Sequence, residues 1–361
     1  MPAVEARPAD HAAPVAYLGW QGMGNIGDDA IYDAVRSQLR GASVLEMPRF
    51  PGERLRAATT GLNRSLRNGI QVVGGGTLIG TRYFRRLIGR GQALTRNNGS
   101  YAIGVGVEDP TFDRRQNAQS AGELQRWVPM LSEFRTVSVR GPRSAELLAD
   151  AGLEVTVSGD PALLLPRPDV TAEDGLIGLN LGFGDDDLWG QDPAQVAEQI
   201  GGAARYLTSQ GYRFVGILMN SADRRWTEQA LAGIDADIIH PPDATTAARE
   251  LARCSIAIVS RLHAGILAAL SATPVISLEY QPKCRDFARS INDERSLLRT
   301  DTLTTTTVID HTHHTLHDAP HIRTTTHQAV THLRQQLTHE YATVAHQLGL
   351  TAPTGQLSEE H

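Results

Sequence analysis

A chain of 361 residues is too long for one ordinary hydrophobic core, so two domains are expected. Hydrophobic residues at 41% and charged residues at 20% describe a globular protein and exclude a disordered one. The formal charge of −6 speaks against a general affinity for nucleic acid or an anionic membrane, since both need a basic surface; an anion site must be a local cluster of Arg, Lys and backbone N–H groups.

In chain order, residues 1–14 mix Ala, Pro and charges without the apolar stretch of a signal peptide, and read as a flexible tail. Residues 15–18 form a strand, followed by a glycine-rich loop and a helix to about residue 39. Strands are expected at 43–47, 70–73, 100–107, 136–139 and 154–157, with helices at 54–66, 122–134 and 143–150. The segment from Pro166 through Pro168 to Asp174 reads as a linker, dividing a first domain (15–168) from a second (169–310). There the alternation restarts, with strands at 176–181, 213–218, 238–239, 256–259 and 275–278 and helices at 193–208, 226–231, 245–252 and 262–270. Alternating buried strands and amphipathic helices give parallel sheets covered by helices, here an α/β chain of two Rossmann-like domains facing across a cleft. Ligands of such sheets bind at the carboxyl ends of the strands.

Residues 311–361 are read as a Thr/His-rich connector, a helix over 324–348 that packs on the body or returns to the first domain, and a disordered tail from residue 356. His311, His313, His314 and His317 lack Cys partners and a fixed helical spacing, so they read as solvated rather than as a metal site. Cys254 and Cys284 match no metal or redox spacing and read as reduced thiols of a cytoplasmic protein. No segment approaches the ~20 apolar residues of a membrane span.

Five motifs fall at strand ends. Gly22-Met23-Gly24-Asn25-Ile26-Gly27-Asp28-Asp29 opens a helix, where backbone N–H groups can face an anion; it has neither dinucleotide spacing nor the Lys-Ser/Thr of a P-loop. Asp28 has two readings, helix capping and contact with an acceptor hydroxyl, while Asp29 reads as structural. Gly74-Gly75-Gly76 reads as a pocket wall. Arg140 in Ser138-Val139-Arg140 can grip a carboxylate or phosphate, whereas Arg143 reads as surface. Asp160, before Pro161, either orients a basic group across the cleft or fixes the turn, the turn being preferred. Arg261, His263 and Lys283 follow neighbouring strands, where an imidazole can exchange protons near neutral pH beside two cations. Arg261 reads equally as a buried ion pair.

In this order, the Gly-Asn-x-Gly-Asp loop, the glycine triplet, Ser-Val-Arg with Ser144, Asp160-Pro161-Ala162, Arg261-Leu262-His263-Ala264 and Tyr280 with Lys283 resemble the polysaccharide pyruvyl transferase family. The resemblance implies two Rossmann-like domains in a GT-B-like arrangement. It also implies transfer of a pyruvyl group from phosphoenolpyruvate to the hydroxyls of a saccharide or glycoconjugate, free or lipid-linked, usually as a cyclic ketal. By the same resemblance His263, Arg140 and Lys283 match positions of donor binding and catalysis, while Arg261, Gly75, Gly76 and Asn25 are expected at the donor from their own places at strand ends. Asp28 is placed with the acceptor. Phosphoenolpyruvate is a co-substrate; no metal or other cofactor and no nucleic-acid partner are expected. The family usually has an acidic residue after the motif arginine, but Gly141-Pro142 stands here, so a re-shaped loop is expected. The rival readings are a nucleotide-sugar glycosyltransferase of the same architecture and a non-catalytic binder of an anionic ligand.

Overall fold

A computed structural model describes residues 13–112, 122–184 and 187–350; of the tail expected at 1–14 all but residues 13 and 14 lies outside these residues, as does the tail expected from 356. The first half runs β1 (Val15–Leu18), α1 (Ile26–Gln38), β2 (Val44–Glu46), α2 (Pro51–Thr59), α3 (Leu62–Ser65), β3 (Ile70–Val73), β4 (Thr77–Ile79), α4 (Arg82–Leu94), β5 (Ser100–Val107), α5 (Glu123–Leu131), β6 (Thr136–Val139), α6 (Pro142–Asp150) and β7 (Thr156–Val157). The second runs β8 (Glu173–Asn180), α7 (Pro193–Ser209), β9 (Arg213–Ile217), α8 (Arg224–Ala230), β10 (Asp237–Ile239), α9 (Ala244–Ala252), β11 (Cys254–Val259), α10 (Leu262–Ala269), β12 (Val275–Glu279), α11 (Pro282–Ser290) and β13 (Leu297–Arg299). Two more helices follow, α12 (Thr305–His317) and α13 (Ala319–Gln347).

Each half forms one sheet whose paired strands are parallel. The orders are β2-β1-β3-β5-β6-β7, with β4 beside β5, and β10-β9-β8-β11-β12-β13. The central strands are buried and largely apolar because helices cover both faces; β1, β3 and β5 are buried at every residue. In both sheets the direction of strand addition reverses, at β1/β3 and at β8/β11, and loops diverging at such a point leave a crevice. The two halves share apolar packing: Val15 and Ile31 belong to the same buried cluster as Ile217, Leu267 and Tyr341.

Some local expectations change. The helix expected over 54–66 is interrupted at Gly61, whose φ of 78° is left-handed, so α2 and α3 are separate. β4 and α4 were not anticipated, although Phe84, Leu87, Ile88 and Gly91 give α4 a buried stripe among its arginines. The connector expected from residue 311 is helix. Thr304 caps α12 by accepting from Thr307 N–H (3.1 Å), and Thr312 Oγ1 donates to Val308 O (2.8 Å), so the threonine hydroxyls bond within the helix. Among the described residues no group of three or more His, Cys, Asp or Glu could hold a metal ion.

α13 returns to the first sheet. Leu333, Leu337, Tyr341 and Val344 are buried in the shared cluster, Arg334 Nη1 donates to Leu165 O (2.7 Å), and Ser138 Oγ donates to Glu340 Oε2 (2.6 Å).

Candidate active site

The loop after β1 is held by the second half. Ile26 N–H donates to Met219 O (3.0 Å) and Asn220 Nδ2 to Gly24 O (2.8 Å). Asn25 caps α1, accepting from Gly27 N–H (3.1 Å) while its Nδ2 donates to Asp28 Oδ2 (2.6 Å). Asp29 accepts from Gly22 N–H (2.7 Å), a structural role. Gly27 is required by contact: a Cβ there would lie 2.3 Å from Cγ and Nδ1 of His263, so the imidazole of the second half rests on the first turn of α1.

Beneath that ring lies Asp160, fully buried after β7. Its Oδ1 accepts from Ala162 N–H (3.0 Å) and starts a 3-10 turn, as expected of an Asp-Pro corner. Its Oδ2 lies 3.6 Å from His263 Nε2 and 3.9 Å from Arg140 Nη1. Arg140, 1% exposed, donates from Nη2 to Thr77 Oγ1 (3.3 Å), and its Nε is 3.7 Å from Asp286 Oδ2. Gly106 gives the guanidinium its room, since a Cβ there would come within 2.5 Å of Nη2. These separations are attractive but longer than the ~2.7–2.9 Å of a charge-assisted hydrogen bond. Arg140 Nε, Asp160 Oδ2 and His263 Nε2 are buried and lack hydrogen-bond partners among the described residues. Burial raises the pKa of Asp160, but the neighbouring His263 and the charge of Arg140 outweigh it and hold the carboxyl below its ordinary value.

Asp286 reaches in from α11. It accepts from the N–H and hydroxyl of Ser144 at the start of α6, and a Cβ on Gly141 would meet Asp286 O at 2.2 Å. The missing side chain after Arg140 therefore admits α11. Asp286 thus brings a carboxylate beside Arg140 from the second half of the chain.

Arg261 resolves toward its ion-pair reading: Nε and Nη2 donate to Asp223 Oδ1 (2.8 and 2.6 Å), and Asp223 is fully buried. It still lines the crevice. Lys283, at the start of α11, lies 4.8 Å from the Tyr280 ring centroid and has no carboxylate within 4 Å among the described residues. It is the only lysine in the chain. Asp28 is buried, and burial raises its pKa against the opposing charges of His263 and Lys283. Gly76 (φ 91°) lines the crevice beside Asp28. Gly75 does not line it: a Cβ would meet Ile31 (2.9 Å) and Pro161 (3.1 Å), so this glycine serves packing between α1 and the Asp160 turn. Arg143, read as surface, lines the crevice and pairs with Asp109 (2.7 Å).

These groups bound a cavity of about 340 Å³ with loops from both sheets as its walls, within the roughly 300–1,000 Å³ usual for small-molecule sites. His263, Arg140, Lys283, Arg261, Asn25, Asp28 and Gly76 converge on it. Reading the sequence undervalued Asp160, Asp286 and Arg143. Asp160 carried a signal, an acidic residue directly before proline after a strand. Asp286 carried none, because its helix was not anticipated.

Two parallel sheets facing across a crevice lined by cations define a GT-B-like, Rossmann-type enzyme fold. Solved structures share it. A Listeria monocytogenes protein described as a UDP-N-acetylglucosamine 2-epimerase matches with a TM-score of 0.61 at 13% identity, covering 95% of this chain and 98% of that one. UDP-GlcNAc 2-epimerase from Neisseria meningitidis, bound to UDP-GlcNAc, gives 0.56 at 12% over 88% and 89%. The calicheamicin glycosyltransferase CalG4 gives 0.53 at 12% over 95% and 100%. A search of curated proteins finds no sequence match. The chain belongs to the polysaccharide pyruvyl transferase family, whose model matches residues 25–282, and is a transferase of that family.

Proposed function

We propose that this transferase moves a pyruvyl group from phosphoenolpyruvate to two hydroxyls of a saccharide or glycoconjugate, closing a cyclic ketal, in the cytoplasm and with no cofactor besides the co-substrate. The observation that carries this reading is the convergence of Lys283, lacking an acidic partner among the described residues, and the long-range pairs of Arg140 with the His263–Asp160 couple. A small polyanion supplies the hydrogen bonds that Arg140 and Lys283 lack. Each charge-assisted bond contributes about 1.5–3 kcal/mol.

In the reaction, His263 gives a proton to the methylene carbon of the enol phosphate. Positive character then develops at the adjacent carbon, where the first hydroxyl adds. The C–O bond to phosphate breaks and the second hydroxyl closes the ring. Of the two protons lost by the hydroxyls, one replaces the proton given to carbon and the other leaves with phosphate. Asp160 holds the imidazole, Arg140 and Lys283 hold carboxylate and phosphate, and Asp28 receives an acceptor hydroxyl. Mass spectrometry of candidate acceptors incubated with phosphoenolpyruvate tests the reading: the product gains one pyruvic acid less one water, with stoichiometric phosphate release. Protection against thermal unfolding by UDP or GDP, with none by phosphoenolpyruvate, would select a nucleotide-sugar transferase instead.

A further inference from the structure

The net charge of −6 conceals a strong division along the chain. Residues 49–96 carry ten of the 34 Lys and Arg residues and one of the 40 acids, Glu53. They form α2, α3 and α4, and Leu66, Phe84, Leu87 and Ile88 from this stretch share one buried cluster on the first sheet. Arg56, Arg64, Arg67, Arg82, Arg86 and Arg90 are exposed, with no ion pair among the described residues; Arg85 is the member of this group paired with an acid, Glu123 (2.6 Å). Among the arginines stand large apolar side chains: Leu55 is 69% exposed, Tyr83 40% and Phe50 37%. Phe50 and Tyr83 both pack edge-on against Trp20 (6.5 and 6.3 Å between centroids), and Trp20 lines the active-site cavity.

We infer that the face formed by α2, α3 and α4 docks on an anionic lipid bilayer and presents the mouth of the crevice to it. The charge is complementary, and the remaining surface, which holds nearly all the acids, is repelled, so a flat anionic surface orients the molecule in one way. Exposed Leu55 on a basic helix selects lipid over nucleic acid, because an aliphatic side chain gains from entering the headgroup boundary and gains nothing on a phosphate backbone. The continuity from Phe50 and Tyr83 through Trp20 into the cavity places the site next to the interface. The inference concerns where the protein sits and does not depend on which group it transfers.

The test is co-sedimentation of the full chain with vesicles of phosphatidylglycerol and phosphatidylcholine, against phosphatidylcholine alone. Each arginine near an anionic surface strengthens association about five-fold. The wild-type protein is expected to bind the anionic vesicles and leave the neutral ones. Arg64→Glu/Arg86→Glu/Arg90→Glu is expected to weaken partition by at least ~100-fold, and Leu55→Ser by several-fold, with unchanged thermal unfolding and unchanged protection by phosphoenolpyruvate. A wild-type protein left in the supernatant at low salt overturns the inference. So does a charge-reversed protein that binds as well as wild type, or tighter binding to duplex DNA than to the vesicles.

Discussion

Asp286 accepts two hydrogen bonds from Ser144, from the backbone N–H at 3.1 Å and the hydroxyl at 2.6 Å, and so fixes α11 of the second half on the first turn of α6. The same carboxylate lies 3.7 Å from Arg140 Nε. Removing it in Asp286→Ala leaves a buried arginine short of one counter-charge, which typically costs about 3–5 kcal/mol. The expected outcome is a lowered unfolding temperature together with a raised KM for phosphoenolpyruvate. Gly141→Ala should act from the opposite side by forcing α11 away, raising KM with a smaller loss of stability. Calorimetry and steady-state kinetics on both variants check this.

His263→Ala is expected to lower turnover by ~10²–10⁴-fold, the usual contribution of a positioned acid/base. Asp160→Asn should lower kcat more than it raises KM. The carboxyl's depressed pKa adds a stability test. Its contribution is present above the ordinary carboxylate pKa of about 3.9 and is lost as pH falls through the folded value, so wild type should lose more stability than Asp160→Asn on acidification below about pH 4. Parallel unfolding curves for the two proteins down to acid denaturation would contradict the assignment.

Asp28 carries the opposite sign. Burial raises its pKa, so ionising it opposes folding, and this cost is absent in acid and complete once pH exceeds the folded value. Asp28→Asn should therefore unfold at a higher temperature than wild type at neutral pH, with the gap closing toward acid, while turnover on a confirmed acceptor falls. A variant that loses stability at neutral pH would show that the carboxylate serves the fold.

Lys283 is the chain's one lysine, so amine-directed reductive methylation has one side-chain target. Phosphoenolpyruvate should slow its modification. Lys283→Met should raise KM for phosphoenolpyruvate about 10- to 100-fold, the equivalent of one charge-assisted bond, with partial recovery in Lys283→Arg.

The central strands were legible because burial on both faces leaves a run that is apolar almost throughout, as in β1, in β3 apart from Gln71 and in β5 apart from Ser100, whereas the three-residue β4 and β13 were too short to stand out. His263, Arg140 and Lys283 were legible because they stand at the ends of such runs. The helices missed are those whose buried stripe is diluted by polar residues: α4 by arginine, α11 by charge, α12 by threonine. Asp286 was lost with α11. Gly75 was misplaced because a glycine after a strand looks the same whether it admits a ligand or a neighbouring helix. The charge summed over the chain carries no trace of the separation between residues 49–96 and the rest.

The C-terminal helix carries a consequence for biosynthesis. α13 flanks the first sheet, with Leu333 against Gly159 and Arg334 on the carbonyl of Leu165, either side of the Asp160 turn. A ribosome releasing this chain from the amino end exposes the first sheet long before its last covering layer exists. The nascent first half thus waits as an incomplete folding unit until α13 has emerged and docked.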